Sequence, residues 1–397
     1  MKWTPRGESR PETLPEPAAG GVSRTIYLVT TAGHPNYGDE VIVRGWLRLL
    51  AEREPGAEVW VDCPNPGPAA ALLHGEHPRV RFTDTLYRLC WEAPSDDPRD
   101  VGEFVTKTLE DPGAAPRWIA GIDIARSADV VHVVGGGYIN SVWPRHVGLV
   151  AAAAWLRRER GVRLGATGLG LLPVERGVAE VWTESAAAFD VLTVRDEPSL
   201  VVARAGNPRA RLAIDDVFVS GMADLLAGSA NDAPDTMVCV QTDMYDGDFG
   251  LVVDYVREVA RRWQGPWGSV GFVECMPQVD RAIYDALRDD FPEARFYSVW
   301  EILADGLPAR RGQRWISTRF HTHLLAAAAG ASGIALSLNN DYYAVSHAAV
   351  VAAGSGWTLG SLDDASSAKA GGAGELPART EELTAAARSA GAELYGW

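Results

Sequence analysis

Arg319-Phe320-His321 sets a guanidinium and an imidazole two residues apart, directly after the short apolar run Trp315-Ile316-Ser317. A guanidinium is a fixed planar cation that receives a carboxylate or phosphate. An imidazole gives or takes a proton near neutral pH. Together they suit group transfer from an anionic donor, and Arg319 and His321 are the candidate catalytic residues. A purely structural alternative stands beside this, in which the Arg pairs with a carboxylate and the His is a helix-surface residue. His323 follows at a spacing that diverges by roughly 200° once a helix has begun, so an H-x-H zinc pair is not expected, and no third ligand is apparent.

These residues need a strand to end just before them. The run 315–317 reads as the end of a buried strand, Leu324 to Ala329 as a helix closed by Gly330, and Gly333 to Leu338 as a second strand ending in Asn339-Asn340-Asp341. Polar residues therefore gather at strand carboxyl ends, where open parallel sheets bind ligands. The same alternation runs along the chain from its first strand, Thr25 to Thr30, whose following loop carries Asn36, Asp39 and Glu40 into a helix reaching about Arg53. Asp129 to Val134 is a buried strand followed by Gly135-Gly136-Gly137-Tyr138-Ile139-Asn140, where glycines let backbone approach a ligand. Val191 to Val194 ends in Arg195-Asp196, ahead of a helix opened by Glu197-Pro198-Ser199. The chain carries neither G-x-G-x-x-G nor G-x-x-x-x-G-K-[ST]. Residues 64–128 are the least legible, and Trp91 to Arg117 reads as an excursion or lid over the site.

The fold class is α/β, two Rossmann-like domains facing across a cleft. The expected boundaries are a disordered arm over 1–23, a first domain over 24–220, a linker over 221–235, a second domain over 236–352, and a tail with a helix over 353–397. The chain has 397 residues, 47% hydrophobic and 22% charged, in the range of a globular protein of about two domains. Its net charge of -15 disfavours nucleic acid or an anionic membrane as partner. Among the basic residues only Lys2, Lys107 and Lys369 are lysines, the skew of a GC-rich coding genome. Cys63, Cys90, Cys239 and Cys275 show no C-x-x-C spacing and read as reduced thiols. No apolar run approaches the ~18 residues of a membrane span. A cytoplasmic protein is expected.

Taken together, Gly33…Asn36…Gly38-Asp39-Glu40, Gly135-Gly136-Gly137, Gly168-Leu169-Gly170 before Pro173, Val194-Arg195-Asp196 with Ser199, and Arg319-Phe320-His321 resemble the polysaccharide pyruvyl transferase family. The resemblance spans roughly residues 25–350. It implies a glycosyltransferase-B-like fold, with the acceptor on the first domain and the donor on the second. It also implies transfer of the pyruvyl unit of phosphoenolpyruvate to two sugar hydroxyls, without metal or organic cofactor. His321 would protonate the enol methylene carbon and Arg319 hold the donor's carboxylate or phosphate. Asn36, Asp39, Glu40, Gly135, Gly136, Gly137, Tyr138, Asn140, Arg195, Asp196, His323, Asn339 and Asn340 would contact substrate, although Asp39, Glu40 and Asp196 are explained equally well as carboxylates at helix starts.

Two positions depart from the family pattern. Relatives commonly carry an Arg where this chain has Val240-Gln241-Thr242-Asp243, and a Lys where it has Leu338-Asn339-Asn340-Asp341. A carboxylate within ~4 Å of a bound phosphate is repulsive by roughly 1–4 kcal/mol. Three functions therefore compete: pyruvyl transfer from phosphoenolpyruvate to a sugar or glycosylated acceptor, glycosyl transfer from a nucleotide sugar, and a divergent member with another donor or with binding alone. Acceptor and oligomeric state are not legible.

Overall fold

The computed structural model describes residues 24–243, 245–264, 269–338 and 342–397. Asn339, Asn340 and Asp341 lie outside these, as does the expected arm over 1–23. Two sheets, parallel throughout, account for every strand among the described residues. The first contains β1 (Thr25–Val29), β2 (Glu58–Asp62), β3 (Val80–Thr83), β4 (Val130–Val133), β5 (Arg163–Leu169), β6 (Val191–Val194) and β7 (Arg211–Leu212), in the order β3-β2-β1-β4-β5-β6-β7. The second contains β8 (Thr236–Cys239), β9 (Val270–Val273), β10 (Arg295–Tyr297), β11 (Arg314–Ser317), β12 (Ser332–Leu336) and β13 (Thr358–Gly360), in the order β10-β9-β8-β11-β12-β13.

Both orders reverse direction once, between β1 and β4 in the first sheet and between β8 and β11 in the second. At such a switch point adjacent strands send their following loops to opposite sides, which leaves a crevice at the carboxyl edge. The four loops concerned carry Asn36 and Asp39, Gly137 and Tyr138, Asp243, and Arg319 with His321. Central strands β4 and β8 are buried at every residue, as parallel strands covered on both faces must be.

The second sheet extends beyond residue 352, because β13 pairs with β12. The terminal helix Leu376–Tyr395 then returns to the first domain. Tyr395 Oη meets His132 Nδ1 at 2.7 Å, and Arg163 Nε donates to the Leu394 carbonyl at 2.5 Å. The segment expected as a tail thus completes one sheet and packs on the other. Residues 64–128 supply β3 and the helices Pro66–Leu73, Thr85–Glu92, Pro98–Glu110 and Ile119–Arg126. The excursion packs on the helix Val147–Arg160, so it is a wall of the first domain.

Bonds across the cleft tie the two halves together. Tyr37 N donates to the Cys275 carbonyl at 2.9 Å, Arg44 Nη1 to the Leu303 carbonyl at 2.5 Å, and Tyr342 Oη to the Gly137 carbonyl at 2.9 Å.

Candidate active site

The switch points face each other around a cavity of about 680 Å³. Of the residues singled out from sequence, Asn36, Asp39, Gly137, Tyr138, Arg195, Arg319 and His321 line it. The others in the described residues serve the structure around it. Glu40 is buried and accepts from Gly33 N at 2.7 Å, which pins the loop after β1. Gly135 N donates to Asp216 Oδ2 at 2.9 Å, and Gly136 adopts φ +146°, where a side chain would be strained and would press on Tyr138. Asn140 braces its own turn, donating to the Gly137 carbonyl and accepting from Val142 N, both at 2.9 Å. Asp196 is a helix cap, accepting from Ser199 N at 2.7 Å. His323 turns into the core, stacked on Trp357 and hydrogen-bonded to His347 Nδ1 at 3.1 Å and Ser355 Oγ at 3.0 Å. Burial, with His347 beside it, holds its pKa well below the ordinary histidine value. One residue step per 100° of helix explains why His321 and His323 part company.

The turn that carries Arg319 is built by hydroxyls. Ser317 Oγ accepts from Arg319 N at 3.1 Å, and Thr322 Oγ1 donates to the Arg319 carbonyl at 3.1 Å, so the helix Phe320–Ala328 starts at a held backbone. The Arg319 side chain then meets Asp280, on the segment after β9. Its Nε lies 3.1 and 3.2 Å from the two carboxylate oxygens, and Nη2 lies 2.6 Å from Oδ1. Asp243 Oδ1 stands a further 3.4 Å from Nη2. Burial disfavours the guanidinium charge, but Asp280 more than offsets this and raises the group above its ordinary value. Among the described residues, Arg319 Nη1 makes no hydrogen bond.

His321 is held from the other domain. Its Nε2 sits 3.2 Å from Asp215 Oδ1, while Gly38 leaves room for the ring: a Cβ there would lie 1.9 Å from Nδ1. Burial alone would raise the Asp215 carboxyl; His321, Arg195 and the Val217 N–H together hold it well below the usual carboxylate range. Arg195 Nη1 donates to Asp215 Oδ2 at 2.9 Å, and its guanidinium lies 3.9 Å from the centre of the Phe320 ring. Asp215 thus joins Arg195 of the first domain to His321 of the second. Asp39 borders the same cavity and accepts from Asn36 Nδ2 at 2.9 Å. Burial pushes its carboxyl up, and the neighbouring His321 pulls it partly back.

The remaining wall is aromatic. Tyr87 and Trp91 come from the helix Thr85–Glu92, with Tyr138, Trp143 and Tyr342 beside them. Trp91 is 54% exposed at this wall. Neither Asp215 nor Asp280 was singled out from the sequence. The only local signal for the former was the Asp215-Asp216 pair ahead of the linker.

The donor set is a pair of guanidiniums, an imidazole tied to a carboxylate, and a raised carboxyl at facing switch points. Such a set is suited to moving protons and receiving an anion, and it lies between two parallel Rossmann-like sheets of glycosyltransferase-B-like fold. The chain belongs to the polysaccharide pyruvyl transferase family, whose profile matches residues 36–340. No curated protein matches it. Among solved structures it is similar to the UDP-GlcNAc 2-epimerase from Neisseria meningitidis bound to UDP-GlcNAc, at a TM-score of 0.50 and 12% identity, covering 91% of this chain and 94% of that one. It is also similar to a UDP-glucosyltransferase from Polygonum tinctorium, at a TM-score of 0.48 and 10% identity, covering 94% and 98%. No helix among the described residues is long and apolar enough to cross a membrane.

Proposed function

We propose that the protein transfers the pyruvyl unit of phosphoenolpyruvate to hydroxyls of a sugar or glycosylated acceptor, forming a cyclic ketal and releasing phosphate. The observation that carries this is His321, tied at Nε2 to Asp215 and bordering a cavity that also exposes Arg319. With Nε2–H directed at Asp215, Nδ1 is the atom that exchanges a proton with bound substrate. It gives that proton to the enol methylene carbon, and the adjacent carbon becomes oxocarbenium-like. An acceptor hydroxyl adds there, losing its proton to Asp39 or to the neutral imidazole. The C–O bond to phosphate breaks as a second hydroxyl closes the ketal, and the departing phosphate carries away that hydroxyl's proton. Arg319 stabilises the donor's anionic groups. The apolar faces of Trp143 and Tyr138 suit the C–H face of a sugar.

A second reading, a divergent member with a less charged donor, is favoured by one observation. Each arginine lining the cavity has a carboxylate partner: Arg88 with Asp84, Arg195 with Asp215, Arg319 with Asp280. Thermal melts with phosphoenolpyruvate and with nucleotide sugars separate the readings, since a ligand stabilises the state that binds it. Stabilisation by phosphoenolpyruvate, followed by phosphate release and a ketal product with glycoside acceptors, is the expected result. Stabilisation by a nucleotide sugar alone overturns it.

A further inference from the structure

The inner edge of Arg319 and its outer surroundings are occupied differently. Asp280 takes Nε and Nη2 and is fully buried, with both its oxygens engaged and Cys275 N donating to it at 2.8 Å. That carboxylate is part of the scaffold. Asp243 is 34% exposed, lines the cavity, and approaches only Nη2, at 3.4 Å. Its position after β8 is set by the backbone, because Gln241 N donates to Thr318 Oγ1 at 2.8 Å. Its pair with Arg319 is longer, and on the Asp243 side more open to solvent, than the buried pair of Arg319 with Asp280 at 2.6 Å. It nevertheless stands beside the guanidinium atoms through which an anion in the cavity would bind.

We propose that Asp243 is a displaceable counter-ion, whose place beside Arg319 is taken by an anionic group of the donor, so that Asp243 determines how much charge the donor carries. This rests on the reading that Arg319 receives an anionic donor. Three charged or titratable groups face Asp243: Arg319 at the head of the helix Phe320–Ala328, Asp280 after β9, and Tyr343 at the head of the helix Tyr343–Ala352. Only Arg319 attracts the Asp243 carboxylate; Asp280 repels it. A dianion arriving at Nη1 and Nη2 competes with Asp243 for the one cation and meets its charge at close range. A neutral side chain of the same shape removes that competition without disturbing Asp280.

Calorimetric titration at fixed ionic strength tests this with two probes, phosphoenolpyruvate and sulfate, the latter a dianion without an enol. Asp243→Asn is expected to tighten both by about tenfold, close to 1.4 kcal/mol, and Asp243→Ala to act in the same direction. Asp289→Asn makes the same change in net charge at an exposed position and is expected to change neither. Unaltered or weaker binding in both Asp243 variants overturns the proposal, as does equal tightening by Asp289→Asn. If sulfate tightens but phosphoenolpyruvate binds no better than sulfate, the counter-ion role stands and the phosphoenolpyruvate reading falls. If phosphoenolpyruvate binds tightly and alike to every form, the reverse holds. Failure of both probes to bind any form removes both.

Discussion

The wall of the cleft on the first sheet and the wall on the second each bury an Arg–Asp pair, but they differ in the further carboxylate they bring to the cavity. On the first, Asp39 makes no ion pair among the described residues and its carboxyl is pushed up by burial, in the company of Tyr138 and Trp143. The arginines of that wall are matched, Arg88 by Asp84 and Arg195, which lies under Phe320, by Asp215. On the second wall, Arg319 reaches the cavity with one carboxylate fixed behind it and another loosely beside it. A surface of hydroxyl-binding groups and apolar rings suits a neutral polyol. A guanidinium with an open edge suits an anion. His321 belongs to the second wall but is held in place by Asp215 of the first.

The comparison breaks most sharply at His321. Replacement by Gln keeps the shape but removes the exchangeable proton, and turnover is expected to fall about 10²- to 10⁴-fold in a phosphate-release assay. Turnover close to the wild-type value would assign the proton to another group.

Asp280 tests whether the second wall is a scaffold before it is a site. Asp280→Ala leaves Arg319 buried without its bidentate partner, and urea unfolding should show a loss of about 3–5 kcal/mol. A loss well under that would mean that Asp243 suffices as partner.

Glu40 probes the first wall through pH. Its carboxyl is raised from 4.5 to about 7, burial being the main cause, against the Gly33 N–H that favours the anion. A raised acid binds its proton more tightly folded than unfolded, so its contribution to stability is complete below about 4.5 and is lost as pH rises towards about 7. Glu40→Gln cannot ionise, so its stability relative to wild type should climb through that window and level off above it. A gain of up to about 3 kcal/mol is expected, from denaturant midpoints at pH 5 and pH 8. A pH-independent difference would place the Glu40 carboxyl at its ordinary value.

The smallest effect expected is at Trp143, whose ring stands edge-on to Tyr342 and parallel to His146. Trp143→Ala should raise the acceptor KM about threefold to tenfold with little change in kcat. A selective fall in donor affinity would reverse the assignment of the two walls.

Strands β1, β4 and β11 were legible because buried parallel strands are continuous apolar runs. β3 and β13 were not. Both are edge strands with partly exposed residues, so neither leaves an apolar run to read. Glycines and caps were read as ligand-binding because a residue that tightens a turn and one that approaches a ligand look alike in sequence. Only the fold shows Asn140 spending its polar atoms on its own turn, and only the fold chooses the helix cap for Asp196 over the substrate role.

What the sequence determined by itself is local: where apolar runs stop, that Arg319 and His321 follow a strand, and that Asn36 and Asp39 open a helix. Those features depend on neighbours a few residues apart. Which carboxylate each of them meets was decided by tertiary structure alone. Asp280 lies 39 residues from Arg319, and Asp215 lies 106 residues from His321, in the other domain. Pairing over such separations depends on which loops the two switch points bring face to face, and that follows from strand order, which no short stretch of sequence encodes.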